Sequence, residues 1–237
     1  MSANVATRPF RVFRYQRGDA EPHYDVFDVP IDHTATVLEG LLWINVHADP
    51  TLSIRHSCLH ASCGTCGVRV NGREGLACVI DLDETDTGPV QVDPMANIPV
   101  LVDLVVDMAT FVSRFPQPHP TTRASEALSS STPPDGVDAY ERFEDCIECG
   151  LCLSACPVAA TDDRYVGPAA LAYAQRMLEE PRDGVDRDAL LAWANQDNAA
   201  WRCHAAFECT EACPSNVRPA QRIMALRREL LGGKGSA

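Results

Sequence analysis

Eleven cysteines stand in three tight groups along this 237-residue chain. The first group is Cys58-x4-Cys63-x2-Cys66, with Cys78 following after an eleven-residue spacer. Three thiolates on one short loop, joined by a fourth from beyond it, is the spacing that holds a 2Fe-2S cluster. The thiolates must converge on two irons while backbone amides turn toward sulfur. Gly64 and Gly67 permit the tight path that a Cβ would hinder. Zinc is the competing chemistry. Zinc modules present paired C-x2-4-C knuckles, and only Cys63 and Cys66 make one here.

The second group is Cys146-x2-Cys149-x2-Cys152-x3-Cys156-Pro157. In this run three cysteines wrap one cluster and the fourth ligates the other cluster of a pair. The proline after it stops the local helix. The third group, Cys203-x5-Cys209-x3-Cys213-Pro214, is the same run with Ala206 in place of its second cysteine. Crossing the fourth ligands assigns Cys146, Cys149, Cys152 and Cys213 to a 4Fe-4S cluster. It leaves Cys156, Cys203 and Cys209 for the other. A methyl group does not ligate iron, so that cluster is expected as 3Fe-4S; a 4Fe-4S cluster with water on its fourth iron is the competitor. Four, four and three ligands use every cysteine.

The elements around these groups split the chain in two. Phe10–Tyr15 and Tyr24–Val29 alternate as strands that pair. Thr36 is the expected N-cap of a helix over Val37–His47, with Leu38, Leu41, Leu42 and Val46 as its apolar stripe. Val68–Val70 and Glu74–Ala77 flank Asn71-Gly72, the signature of a type I′ hairpin. Val90–Val92 is a further short strand, and a helix over Leu101–Phe111 closes the domain. The first domain is thus residues 1–112, an α+β sheet with a helix across it. Residues 113–136 are rich in Pro, Ser and Thr and are expected to cross the surface without regular structure. Residues 137–237 form a mostly helical domain. Pro168 opens a helix over Ala169–Glu179, and Asp188–Gln196 and Pro219–Leu231 follow. The last has Ile223, Leu226 and Leu230 on one face; Arg218, Arg222, Arg227 and Arg228 read as its solvated face.

Composition limits the function. A net charge of −13 argues against nucleic acid and suits docking to a basic partner. No stretch resembles a secretory signal, and the most apolar run, Ile98–Met108, is interrupted by Asp103 and Asp107. An odd, clustered cysteine count is a poor disulfide framework and fits a reducing compartment, so the chain is expected in the cytoplasm or facing it. No phosphate-binding glycine fingerprint and no nucleophile motif is present.

The residues Arg55-His-Ser-Cys58, Cys63-Gly-Thr-Cys66-Gly, Asn71-Gly72, Leu76-Ala-Cys78, Cys146-Ile-Glu-Cys149-Gly-Leu-Cys152, Cys156-Pro157, Gly167-Pro-Ala169 and Cys209-Thr-Glu-Ala-Cys213-Pro214 occur in order along nearly the whole chain. In these the chain resembles the iron–sulfur subunit of succinate dehydrogenase and fumarate reductase. The resemblance implies a β-grasp plant-type ferredoxin domain followed by an all-α bacterial-type ferredoxin domain. It implies a flavoprotein partner subunit carrying FAD, a membrane anchor near the 3Fe-4S end, and a quinone at the anchor interface. His204 follows Cys203 as in many succinate dehydrogenases, where that histidine neighbours the quinone. The short segment after Pro157 looks more like fumarate reductases and carries no aromatic ring before Tyr165.

The expected function is electron transfer: single electrons pass between the flavoprotein and the quinone pool at the cytoplasmic face of the membrane. The chain itself has no catalytic residue in this reading. One alternative keeps the three-cluster wire and changes its ends, to a different substrate or a thiol/disulfide acceptor. Another class is a zinc-stapled interaction protein, which a brown, charge-transfer-coloured preparation excludes.

Overall fold

The computed structural model describes residues 7–30, 36–85, 88–117, 146–179 and 185–232. The chain forms two compact units. One contains residues 1–108 and 147–155, the other residues 109–146 and 156–237.

The first unit is built on a mixed five-stranded sheet. Its strands are β1 (Thr7–Arg14), β2 (His23–Pro30), β3 (Gly67–Val70), β4 (Arg73–Leu76) and β5 (Val90–Asp93), in the order β2-β1-β5-β3-β4. β1 pairs antiparallel with β2 and parallel with β5, and β3 pairs antiparallel with both β4 and β5. Alternation in β1 sends Phe10 and Val12 to the core, where Val90 and Val92 meet them; all four are fully buried. The β3–β4 turn has positive φ at Asn71 (49°) and Gly72 (84°), as a type I′ turn requires.

Helix α1 (Val37–His47) packs on this sheet. Thr36 and Glu39 close its first turn as a reciprocal capping box. The buried stripe is Val37, Leu38, Leu41 and Ile44. Leu42 is only half-buried and Val46 is 71% exposed, so the expected stripe was rotated too far. Positions 37, 41 and 44 repeat at helical spacing and share a face; position 46 falls off it. Gly40 sits inside this helix because the Phe10 ring lies against it. A Cβ there would come within 2.3 Å of Phe10 Cζ. Full burial of a phenylalanine is worth about 1.5–3 kcal/mol, which outweighs the roughly 0.5–1 kcal/mol that glycine costs a helix.

The expected helix over Leu101–Phe111 is not formed. Val100–Val102 (β6) and Val105–Val106 (β7) make a small antiparallel hairpin, and only Met108–Val112 (α2) is helical. The reason is Asp103, fully buried at φ 44° in the turn. Its carboxylate accepts from Arg14 Nε at 3.1 Å, Tyr15 N at 3.0 Å and Ser53 N at 2.8 Å. Arg14, itself buried, also pairs with Asp25 at 3.0 Å and with Asp49, and donates to Thr51 Oγ1 at 2.9 Å. A continuous helix would take Asp103 away from these donors.

Residues 147–155 belong to this unit. Their short helix α3 (Leu151–Ser154) buries Leu151 and Leu153. Ser154 Oγ accepts from Ala96 N at 2.8 Å, and Asn97 Nδ2 donates to the carbonyls of Leu153 and Ser154 at 2.9 Å.

The second unit is helical: α4 (Pro168–Glu179), α5 (Arg187–Ala194), α6 (Glu208–Glu211) and α7 (Pro219–Leu230). α4 and α7 each begin with a proline, where a missing N–H costs nothing. They pack on each other through fully buried residues such as Leu171, Ala174, Ile223 and Leu226. Most of the expected 113–136 linker lies outside the described residues. Its first residues form a turn: Phe115 is buried, edge-on to Phe111 (5.4 Å) and to Tyr173 (5.6 Å).

Candidate metal centres

The first cysteine group occupies one loop and the strand exit beside it. Leu59 (φ 64°), Ala61 (60°) and Gly64 (67°) turn the backbone left-handed, which aims amides inward. Ser62 N and Cys63 N donate to Cys58 Sγ at 3.3 Å, and Ala61 N donates to Cys78 Sγ at 3.3 Å. Ala77 N donates to Cys66 O at 3.0 Å, which ties the strand leading to Cys78 against the loop. Arg55 clamps the loop from outside, with Nε and a terminal nitrogen on Thr65 O at 3.2 and 3.0 Å. Hydrogen bonding from Thr65, helped by Cys58, lowers the Cys63 thiol to about 6. Burial pushes Cys66 up to about 11. Gly64 also has no room for a side chain: a Cβ would lie 2.7 Å from Cys149 Cβ. Four thiols, with amides already turned to two of the sulfurs, fit a 2Fe-2S cluster.

The two later cysteine runs share one backbone path. Glu148 (φ 50°) and Gly150 (85°) flank Cys149; Ala205 (55°) and Phe207 (67°) flank Ala206. Gly150 and Phe207 are the left-handed N-caps of α3 and α6. The C-caps agree as well: Ala155 has φ −73°, ψ −9° and Ala212 has φ −74°, ψ −7°. Ala206 therefore stands where Cys149 stands, in the same turn.

In the second unit, Cys156, Cys203 and Cys209 line a small cavity together with Tyr165, His204 and Ala206. Its three thiols and one methyl match the three-ligand set. Burial pushes the Cys209 thiol up to about 12 and raises Cys156. Tyr165 is fully buried, and its hydroxyl has no hydrogen-bond partner. An orphaned donor facing three thiols is what a bound sulfur-rich group would satisfy. His204 is exposed at the cavity. Arg227 on α7 was expected to face solvent; instead it holds the Cys203 loop, with Nε on Ala200 O at 2.9 Å and a terminal nitrogen on Cys203 O. Nothing in the spacing of the arginines marks that role.

Of the expected 4Fe-4S ligands, Cys149 and Cys152 belong to the first unit, Cys146 and Cys213 to the second. Cys213 Sγ accepts from Val217 N at 3.4 Å. Among the described residues no three His, Cys, Asp or Glu side chains gather closely enough for a single metal ion. None of the eleven cysteines is in a disulfide.

Residues 9–113 match the family described as a 2Fe-2S iron–sulfur cluster binding domain, and residues 142–217 match a 4Fe-4S dicluster domain. A fumarate reductase iron–sulfur subunit of Mycobacterium tuberculosis is 40% identical over 213 residues, 86% of this chain and 85% of that protein. The chain belongs to the iron–sulfur subunits of succinate dehydrogenase and fumarate reductase. It is an electron-transfer subunit of that oxidoreductase complex. The succinate dehydrogenase iron–sulfur subunit of Paracoccus denitrificans is 31% identical over 236 residues, 94% of this chain and 88% of that one. A chain from the Mycobacterium smegmatis Sdh1 complex shares the fold, with TM-score 0.84 and 23% identity over 96% of this chain and 97% of that one. No described helix of this iron–sulfur subunit is long and apolar enough to cross a membrane.

Proposed function

We propose that this subunit relays single electrons between an FAD-containing flavoprotein subunit and a quinone held at a membrane anchor, on the cytoplasmic face of the membrane. The observation that carries the reading is the cavity of Cys156, Cys203 and Cys209, with Ala206 in the place of a fourth thiol. It supports a 3Fe-4S cluster beside the 2Fe-2S set (Cys58, Cys63, Cys66, Cys78) and the 4Fe-4S set (Cys146, Cys149, Cys152, Cys213). When bound, such clusters take up and release one electron at a time, which splits a two-electron flavin reaction into single steps. The chain's residues supply thiolates, amide donors to sulfur, and burial, the levers that set each potential. His204, exposed beside the three-cysteine cavity, is the proposed quinone neighbour. The related proteins are dicarboxylate oxidoreductase subunits by name, which disfavours a thiol/disulfide acceptor.

The test is anaerobic purification of the native complex. About nine irons per chain, from two, four and three per cluster, with no stoichiometric zinc, and succinate- or quinol-dependent turnover with copurifying flavoprotein and anchor subunits, are expected. About two irons with zinc present would overturn the cluster assignment. A cysteine-rich thiol/disulfide partner in place of an anchor would overturn the quinone end.

A further inference from the structure

We propose that the Tyr165 hydroxyl donates a hydrogen bond to sulfur of the cluster held by Cys156, Cys203 and Cys209, and thereby raises that cluster's reduction potential. The proposal rests on the three-iron reading above.

Tyr165 has no solvent exposure and lines the cavity with all three cysteines. Its oxygen is buried without a hydrogen-bond partner. An unsatisfied buried hydroxyl is destabilising, and phenylalanine would fill the same space without that cost. The hydroxyl is therefore explained by sulfur at this cavity, where the Cys203 thiol already lies within its reach. Thiolate and sulfide sulfurs are acceptors, and they are negatively charged.

The ring's position does not depend on its hydroxyl. Tyr165 N donates to Asp162 O at 3.2 Å, and Val166 N donates to Asn198 O at 3.0 Å. Arg114 donates to Tyr165 O. Asp162, on the same segment, pairs with Arg202 at 2.9 Å, next to Cys203 in the chain. These backbone and ion-pair ties hold the segment over the cavity.

The sign follows from charge. One-electron reduction makes the cluster more negative, so a donor binds the reduced form more tightly than the oxidised form. The donor favours reduction. Tyr165 is thus a tuning residue that touches the cluster and does not ligate it.

The experiment is an EPR-monitored redox titration of the purified complex, wild type against Tyr165→Phe, following the signal of the oxidised three-iron cluster. The expected result is a fall in the reduction equilibrium constant of about three- to tenfold, tenfold being about 59 mV for one electron. Iron content, the signal's intensity when oxidised, and thermal stability stay at wild-type values, since Phe keeps the ring. Incorporating 3-fluorotyrosine at position 165, a stronger donor, shifts the potential upward, and this arm decides the matter if the Phe variant does not assemble. Equal potentials in all forms, with the oxidised signal present, overturn the Tyr165 donor and leave the three-iron reading standing. Absence of the oxidised signal from wild type overturns the three-iron reading, and the proposal with it.

Discussion

Ala206→Cys adds a thiol at the one cysteine position that the Cys203–Cys213 run lacks relative to the Cys146–Cys156 run. The cost of the change is small. Ala206 is solvent-exposed and lines the cavity, so one added sulfur meets no packed core. Its flanking torsions, 55° at Ala205 and 67° at Phe207, follow those at Glu148 (50°) and Gly150 (85°), which already present Cys149. Surface changes of this kind stay within about 0.5 kcal/mol of wild-type stability. The effect therefore falls on the metal. A fourth thiolate completes the open corner and retains a fourth iron, so iron rises from about nine to about ten per chain. An all-ferric three-iron cluster has an odd number of d electrons and is paramagnetic when oxidised. The four-iron cluster in its usual oxidised state has an even number, and its spins pair. EPR of the air-oxidised complex is thus the assay: one spin per chain falls to none, and a signal returns only on reduction. The extra negative ligand lowers the potential, so quinone reduction slows. A wild type without the oxidised signal would show that Ala206 marks no missing iron. A variant that keeps the signal at full intensity would show that residue 206 does not face the open corner.

Other sites make further predictions. Asp103→Ala leaves Arg14 its Asp25 and Asp49 partners but takes the acceptor from Arg14 Nε and from the Tyr15 and Ser53 amides, and each buried donor left unsatisfied costs about 1–3 kcal/mol, read as a drop in the urea midpoint; Asp103→Asn should lose less. Hydrogen bonds from Thr51 and Arg14 hold Asp49 down from 3.8 to about 2. Its folded form binds a proton less tightly than the unfolded chain, so its stabilisation is complete above about pH 4 and is lost as pH falls toward about 2. Asp49→Asn should flatten that part of a stability–pH profile. Gly40→Ala drives a Cβ into the Phe10 ring and should destabilise by about 1–3 kcal/mol, measured by thermal melting.

Much of the fold was legible because its signals are local. Thr36 marked the start of α1, Asn71-Gly72 marked the hairpin, and Pro168 marked the start of α4. The cysteine groups were legible because ligand spacing is a chain-local constraint. What escaped depends on partners far along the chain. Val100–Val106 is an apolar run that reads equally as helix or strand, and the arbiter is Arg14, 89 residues before Asp103. Residues 147–155 sit next to second-unit residues in sequence, yet they pack with the first unit through Ala96, Asn97 and Gly64. Arg227 looked like one of several surface arginines because helical periodicity does not reveal a carbonyl waiting at Ala200. Tyr165 carried no motif at all; only its lack of a partner singles it out.

The two cysteine runs repeat a backbone, so the difference between the clusters must come from what is added to it. One difference is Cys149 against Ala206. The other is length. Ten residues separate Pro157 from Pro168, but only four separate Pro214 from Pro219. The longer connection carries Asp162, Arg164 and Tyr165. Its ties run to Arg202, Asn198 and Arg114, all within the second unit. Those contacts fold the extra residues over the three-cysteine cavity and bury Tyr165 there. The missing thiol removes negative charge from one cluster, and the longer connection brings a buried hydroxyl and the Arg114 cation toward the same site, with Arg114 acting on Cys156. All three changes favour the reduced state. On the three-iron reading proposed above, the repeat's asymmetry acts in one direction: a redox titration of the complex is expected to find the three-cysteine site the stronger electron acceptor of the two.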